Sequence, residues 1–477
     1  MPSEYLIMVV LGALLIRRLL LARNKRYPPG PRGLPFLGYI FGLPDLLDWQ
    51  RWASTYGDIV HLHVLGKHII MLNSIDATSD LLDKRSSIYP DRPPLPLKAH
   101  VGQEWNFGFM PYGKAWLARR RTFAARFGRP FPDIYPIFSS AVMNLLHNLV
   151  DDPGSFMKHA QLYAAQVILG ATYGLNVESC EDELIINARS VLESVDFIAR
   201  PEMWFLNSQI LLRYLPGWLG GNRLANRLRK WHTVNHQFRE LPLKLMAEGS
   251  GADTPYCFAK HLSEERPPSI SVQEHEQFVK DCSAAAYGGG SETTTASVNS
   301  FFLAMAMYPD VQSKGRAEIM RVVGTRRLPD FETCRWNPPG PLGVPHMLTQ
   351  DDEYRGYYLP KGSIVVGNIW HILHDPDTYA YPDTFEPEHH LDHGRLQRDD
   401  LSRITFGFGR RICPGKAFAE DSLWLLIAQV LAVFEITTAD AGGPLQARFT
   451  TGSFSYPMPF PCRIRPWSEE SLELLRP

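Results

Sequence analysis

The chain has 477 residues, 45% of them hydrophobic and 21% charged, which is enough apolar surface for a large core and excludes a disordered polymer. Its formal net charge of -1 excludes the concentrated Lys and Arg excess that nucleic-acid binding by counterion release requires. The six cysteines, Cys180, Cys257, Cys282, Cys334, Cys413 and Cys462, form no C-x-x-C pair, so neither a disulfide framework nor a zinc site is expected, and a reducing compartment is.

At the amino terminus, an apolar run from Tyr5 to Ile16 is followed by Arg17 and Arg18, a second run Leu19 to Ala22, and the basic residues Arg23, Lys25 and Arg26. A spanning helix needs about 20 residues, so this one spans only if its arginines snorkel to the headgroups. A cleaved secretory signal is the alternative, but no small-residue cleavage site precedes the basic cluster. The charge after the apolar run places the following domain in the cytosol. The expectation is a single-pass membrane anchor over residues 1–27 and one large domain over 28–477, since no linker or repeat marks a further boundary. Pro28-Pro29-Gly30-Pro31 cannot continue a helix and forms a stiff elbow between the two.

Residues 58–72 alternate and then run apolar around Gly66-Lys67, which predicts a β-hairpin. Helical patterns dominate from about 113 to 320. A strand-rich stretch follows from Leu348 to Gly367, then a helix from about Pro414 to Phe434, and a final hairpin around Gly452 to Ile464. The predicted class is mainly α with small β-sheets.

The segment Phe406-Gly-Phe-Gly-Arg-Arg-Ile-Cys-Pro-Gly415 carries the most chemistry. Glycines at 407, 409 and 415 permit tight turns and close approach to a flat ligand, and Arg410 and Arg411 place cations beside an anionic group. Cys413 precedes a helix start, where the dipole and the cations favour thiolate, the metal-binding form. In Ala284-Ala-Ala-Tyr-Gly-Gly-Gly-Ser-Glu-Thr-Thr-Thr295 three glycines interrupt a good helix, each costing about 1 kcal/mol against Ala. They serve either tight helix packing or open space beside a loosened helix. Glu332-Thr-Cys-Arg335 places an acid and a base on one helical face, and Trp116-Leu-Ala-Arg-Arg120 does the same for Trp116 and Arg120.

Phe406, Gly409, Arg411, Cys413 and Gly415 match the F-x-x-G-x-R-x-C-x-G signature of the cytochrome P-450 family in full, and the chain resembles microsomal, fungal-type members from about residue 28 to 465. The resemblance implies the cytochrome P-450 fold and a haem b (iron protoporphyrin IX) ligated by Cys413. It further implies propionate contacts from Trp116, Arg120, His346 and Arg411, and proton management by Glu292 and Thr293 within an (A/G)-G-x-(D/E)-T motif. A structural triad of Glu332, Arg335 and His389 follows too, with His389 in Pro387-Glu-His-His390 standing where most members carry arginine.

The activity so implied is monooxygenation of a small apolar molecule using O2 and electrons from NADPH. The electrons would arrive through a separate NADPH-cytochrome reductase, on an endoplasmic-reticulum membrane, in the biosynthesis of a terpenoid, polyketide or indole metabolite. Lys114, Arg119, Arg121, Arg410 and Lys416 form the expected docking patch for an acidic electron donor. One departure stands out: Arg327-Leu-Pro-Asp-Phe331 runs straight into Glu332, without roughly 15 to 20 residues that such members carry, on the order of four helical turns. A helix from about Asp330 to Pro338 is too short to hold without tertiary packing. Two alternatives therefore stay open, a haem-thiolate isomerase or dehydratase that does not use O2, and an inactive membrane protein unable to hold haem.

Overall fold

The computed structural model describes residues 25–34, 38–39, 46–128, 132–200, 221–249, 256–322, 335–379, 381–392, 395–396, 404–439, 445–473 and 475. The expected anchor up to residue 24 and the shortened stretch before Arg335 lie outside them. Among the described residues no helix is long and apolar enough to cross a membrane.

Ten helices carry the architecture: α1 Leu46–Tyr56, α2 Lys114–Phe127, α3 Tyr135–Asp151, α4 Phe156–Tyr173, α5 Glu183–Ala199, α6 Gly221–Ala247, α7 Phe258–Glu264, α8 Val272–Met307, α9 Pro309–Val322 and α10 Lys416–Val433. The central one is α8, started by a capping box in which Ser271 and Glu274 bond each other's backbone N–H groups. Phe301, Phe302, Leu303 and Met305 of α8 share one core with Phe138 and Leu145 of α3, Phe156 and Val167 of α4, and Leu426 and Val430 of α10. Because α8 is buried nearly all round here, its hydroxyls turn back onto its own carbonyls: Thr295 to Ser291, Ser297 to Thr293 and Ser300 to Ala296. The helix runs unbroken through the three glycines, which corrects the expectation of a loosened helix.

Strands β1 (Ile59–Val64) and β2 (Lys67–Leu72) form the predicted hairpin, turning at Leu65-Gly66, where both residues take positive φ. They extend into a four-stranded sheet of order β1-β2-β6-β3, with β3 His346–Met347 and β6 Ile364–Gly367. Alternation buries both faces. Ile59, Ile70, Leu72 and Val365 meet Leu373 and Phe408, while Leu62, Ile69, Met71 and Val366 meet Trp49 and Trp52 of α1. The remaining pairs are β4 Asp352–Tyr354 with β5 Tyr357–Leu359, β7 Leu391–Asp392 with β8 Arg395–Leu396, and β9 Phe434–Thr438 with β10 Cys462–Pro466. The last pair corrects the predicted tail hairpin: Cys462–Pro466 pairs back to the strand after α10, and residues 449–457 close a separate turn with one bridge, Phe449 to Pro457.

On the hairpin, His61 Nε2 and His68 Nδ1 lie 2.8 Å apart, and the ring of Tyr27 stacks on both. Burial, reinforced by the neighbouring imidazoles, lowers His61 to about 3 and His68 to about 4. The folded state thus binds fewer protons than the unfolded chain below pH of about 6.5, so this stability is present above that value and is lost as pH falls toward 3. The denaturation midpoint should fall over that window, and less steeply in His68→Gln. An unchanged slope in the variant would contradict the assignment.

Candidate active site

The cysteine loop is shaped by two glycines and one phenylalanine. Gly407 and Gly409 take φ of 84° and 53°, and a Cβ on Gly409 would sit 2.0 Å from the Leu82 carbonyl oxygen. Phe408 is buried against the sheet, where Gly367 leaves room for its ring. The loop closes with the Cys413 N–H donating to the Phe406 carbonyl at 2.8 Å, and Gly415 then caps α10. Gly415 differs from the other two. Its φ is an ordinary -94°, and a Cβ there would meet nothing within 4 Å.

Cys413 is ringed by protein, yet its side chain is exposed, so the sulfur is not sealed by packed atoms. Burial pushes the thiol above its ordinary value, against the Gly415 N–H, Arg120 and Lys416, which pull it down. This corrects the expectation that dipole and cations alone hold a thiolate: in the protein by itself desolvation outweighs them. A coordinated metal reverses that balance, because a ligating thiol is deprotonated outright.

Cations gather around the same loop. Arg411 donates through Nε to the Pro90 carbonyl at 2.7 Å and through Nη2 to that of Met110 at 2.9 Å, and stacks on Trp116 at 4.2 Å. Its Nη1 is buried without a partner. Arg92, a residue that the sequence motifs do not single out, is fully buried and donates to the carbonyls of Gly108, Val344 and Pro345. Burial, and then the Arg411 charge, push Arg92 well below the ordinary guanidinium range, and burial brings Arg411 to about 10. His346 lies against this pair. Burial and Arg92 lower it to about 3, so the ring is neutral, with Nδ1–H donating to the Tyr89 carbonyl at 2.9 Å. Arg120, half-buried, makes no ion pair with a carboxylate among the described residues, and the charge it senses is that of Cys413. The one sequence signal for Arg92 was its place in Pro90-Asp-Arg-Pro-Pro94, a cation pinned among prolines.

The glycines of α8 divide their duties. A Cβ on Gly290 would press to 2.6 Å on Ile168 of α4, whereas one on Gly289 would meet nothing within 4 Å. One glycine serves packing and the next leaves open space. Thr293 stands one turn along from Gly289 and donates its hydroxyl to the Gly289 carbonyl at 2.8 Å. Glu292 is buried, with its carboxyl raised by burial and bonded by the Tyr456 hydroxyl at 3.1 Å.

Of the expected triad, Arg335 is fully buried and donates to the carbonyls of Leu373, Pro382 and Thr384. Glu332 lies outside the described residues. His389 falls in the short 3-10 turn Pro387–His390, and its side chain lies outside what is described. The expected docking patch loses one member: Arg119 is buried in an ion pair with Asp281 at 2.7 Å, and Arg239 holds the other oxygen at 2.8 Å.

These residues fit an iron porphyrin. Among the described residues Arg411 Nη1 lacks an acceptor, Arg92 and Arg411 have no near counter-charge other than Asp91, the Cys413 side chain is exposed, and a Cβ on Gly415 would meet nothing within 4 Å. Two propionates would complete the hydrogen bonds and neutralise the cations that depress His346. The glycines separate fold from ligand. Gly409→Ala should prevent the loop from folding, whereas Gly415→Val should cost the bare protein about 0.5–1 kcal/mol as a changed cap while sharply lowering haem content per protein. Equal haem content in Gly415→Val would contradict the fit.

The cytochrome P450 family model matches residues 28–459. The chain is 35% identical over 476 residues to cytochrome P450 monooxygenase COX2 of Coprinopsis cinerea, covering 94% of this chain and 90% of the relative. It is 33% identical over 507 residues to a cytochrome P450 monooxygenase of Armillaria gallica, covering 100% of this chain and 99% of the relative. A third, cytochrome P450 monooxygenase 208 of Postia placenta, is 34% identical over 474 residues, with 94% and 92% covered. With the signature cysteine loop, the cation cluster and the glycine-bearing helix in place, the chain belongs to the cytochrome P450 family of haem-dependent monooxygenases.

Proposed function

We propose that this protein is a haem-thiolate monooxygenase that oxidises a small apolar molecule in fungal secondary metabolism, with O2 as oxidant and electrons from NADPH passed on by a separate cytochrome reductase. Its cofactor is haem b. The amino-terminal segment anchors it to the endoplasmic reticulum with the catalytic domain toward the cytosol, a reading that rests on the basic cluster Arg23, Lys25 and Arg26 following an apolar run. One observation supports the reading above all others: an exposed cysteine lies two residues from a buried arginine whose Nη1 has no partner among the described residues, beside a second arginine whose near counter-ion among them is Asp91.

Cys413 would ligate the iron, and Arg92, Arg411 and His346, with Arg120 and Trp116 at the edge, would hold the propionates. When bound, the haem supplies oxygen activation, to which a thiolate contributes electron density. The protein supplies geometry and protons. Gly289 keeps a volume free, Thr293 presents a hydroxyl at its border, and Glu292, whose hold on its proton is strengthened by burial, is the acid beside it. The intact acid and hydroxyl favour a reaction that consumes O2 and protons over an isomerisation that needs neither.

The reduced carbon-monoxide difference spectrum of the protein in microsomes tests the reading, with a long-wavelength thiolate band expected and its absence, with protein present, opposing it. Cys413→Ala should abolish the band. Thr293→Ala should keep it, while product falls on the order of 10²-fold and hydrogen peroxide appears in its place. Retained turnover in Cys413→Ala would refute the ligand assignment.

A further inference from the structure

Glu292 has one hydrogen-bond partner among the described residues, and it comes from the far end of the chain. Tyr456 donates its hydroxyl to Glu292 Oε2 at 3.1 Å, and both side chains are largely buried. Tyr456 is held in turn by a tight loop. The Thr450 N–H donates to the Tyr456 carbonyl at 2.8 Å, and the Tyr456 N–H donates to Thr450 Oγ1 at 3.0 Å. Two tethers fix the loop to its surroundings: Ser455 Oγ donates to Asn337 Oδ1 at 2.6 Å, and the Ser453 N–H donates to Asp196 Oδ1 of α5 at 2.9 Å. Arg189, also on α5 and bonded to Gln161 Oε1 at 3.1 Å, adds a positive potential at the carboxyl.

Thr293 and Glu292 are neighbours on α8, so their side chains diverge by about 100° around the helix axis. Thr293 lies on the face of Gly289 with its open space, and Glu292 reaches instead to the 450–457 loop. For the carboxyl to serve the space beside Thr293 it must leave Tyr456. We propose that Tyr456 is a positioning residue for Glu292, a hydroxyl tether that holds the acid against the 450–457 loop and makes its release depend on how that loop sits between α5 and Asn337. The inference rests on the monooxygenase reading. Tyr456 keeps its own proton throughout, since burial and the adjacent carboxyl both raise its pKa. The proton delivered is that of Glu292.

The test compares full-length protein in nanodiscs, unsubstituted, Tyr456→Phe and Glu292→Gln. The infrared C=O band lost in Glu292→Gln identifies the Glu292 carboxyl. In Tyr456→Phe this band should move to higher frequency and its titration midpoint should rise, because the donated bond holds both down. Peroxide released per NADPH should change about three- to tenfold, the weight of one hydrogen bond. If the phenylalanine variant does not accumulate, ring-fluorinated tyrosine, a stronger donor, should move the same band to lower frequency. A carbon-monoxide thiolate band in unsubstituted protein, combined with an unmoved Glu292 band in Tyr456→Phe or in the fluorinated protein, overturns the tether alone. Absence of the thiolate band in unsubstituted protein removes the reaction on which the tether acts and overturns both.

Discussion

The constraint on which this structure turns is a pair of buried guanidinium groups that share one near carboxylate among the described residues. A guanidinium does not shed its proton in a protein, and taking such an ion out of water costs several kcal/mol. Arg92 and Arg411 stand side by side inside the molecule, with Asp91 as the near carboxylate that favours their charge, and its oxygen is also engaged by the N–H groups of Arg92 and Tyr112. The fold spends five backbone carbonyls on the two of them, drawn from residues 90, 108, 110, 344 and 345. An anionic ligand would complete such an arrangement, by accepting from the free Arg411 Nη1 and supplying the second negative charge.

The same molecule contains the opposite solution. Asp281 is also buried, but Arg119, Arg239 and Gln277 all bond it, tying α2, α6 and α8 together. A satisfied ion cluster joins elements, whereas an unsatisfied one reserves a place. Phe408 packs on the sheet and carries the cysteine loop, while on α8 Gly289 keeps its neighbouring volume clear.

Much of this was legible in the sequence because the residues that build it are close together in the chain. Phe406 to Gly415 is one loop, and its glycines announce positive φ at 407 and 409 and open space at 415. The first hairpin and α10 were equally readable, since period and turn residues agree there. What could not be read depends on residues far apart. Arg92 comes beside Arg411 only through folding across more than three hundred residues, and Tyr456 meets Glu292 across 164. The tail failed for the same reason, as the strand at 462–466 prefers the distant 434–438 to its nearer neighbour. Arg119 fell into the expected docking patch because the local pattern holds no trace of Asp281. The thiolate expectation for Cys413 weighed the dipole and the cations but not the depth of burial, which exists only in three dimensions.

The central claim is that the buried cations await two carboxylates. Haem-free protein titrated with haem and, separately, with haem whose propionates are esterified tests it most directly. Stoichiometric binding of haem and loss of binding with the diester is the result expected if Arg92, Arg411 and His346 hold the propionates. Equal binding of the two would contradict it, since a cluster indifferent to the carboxylates would leave its own burial without a cause.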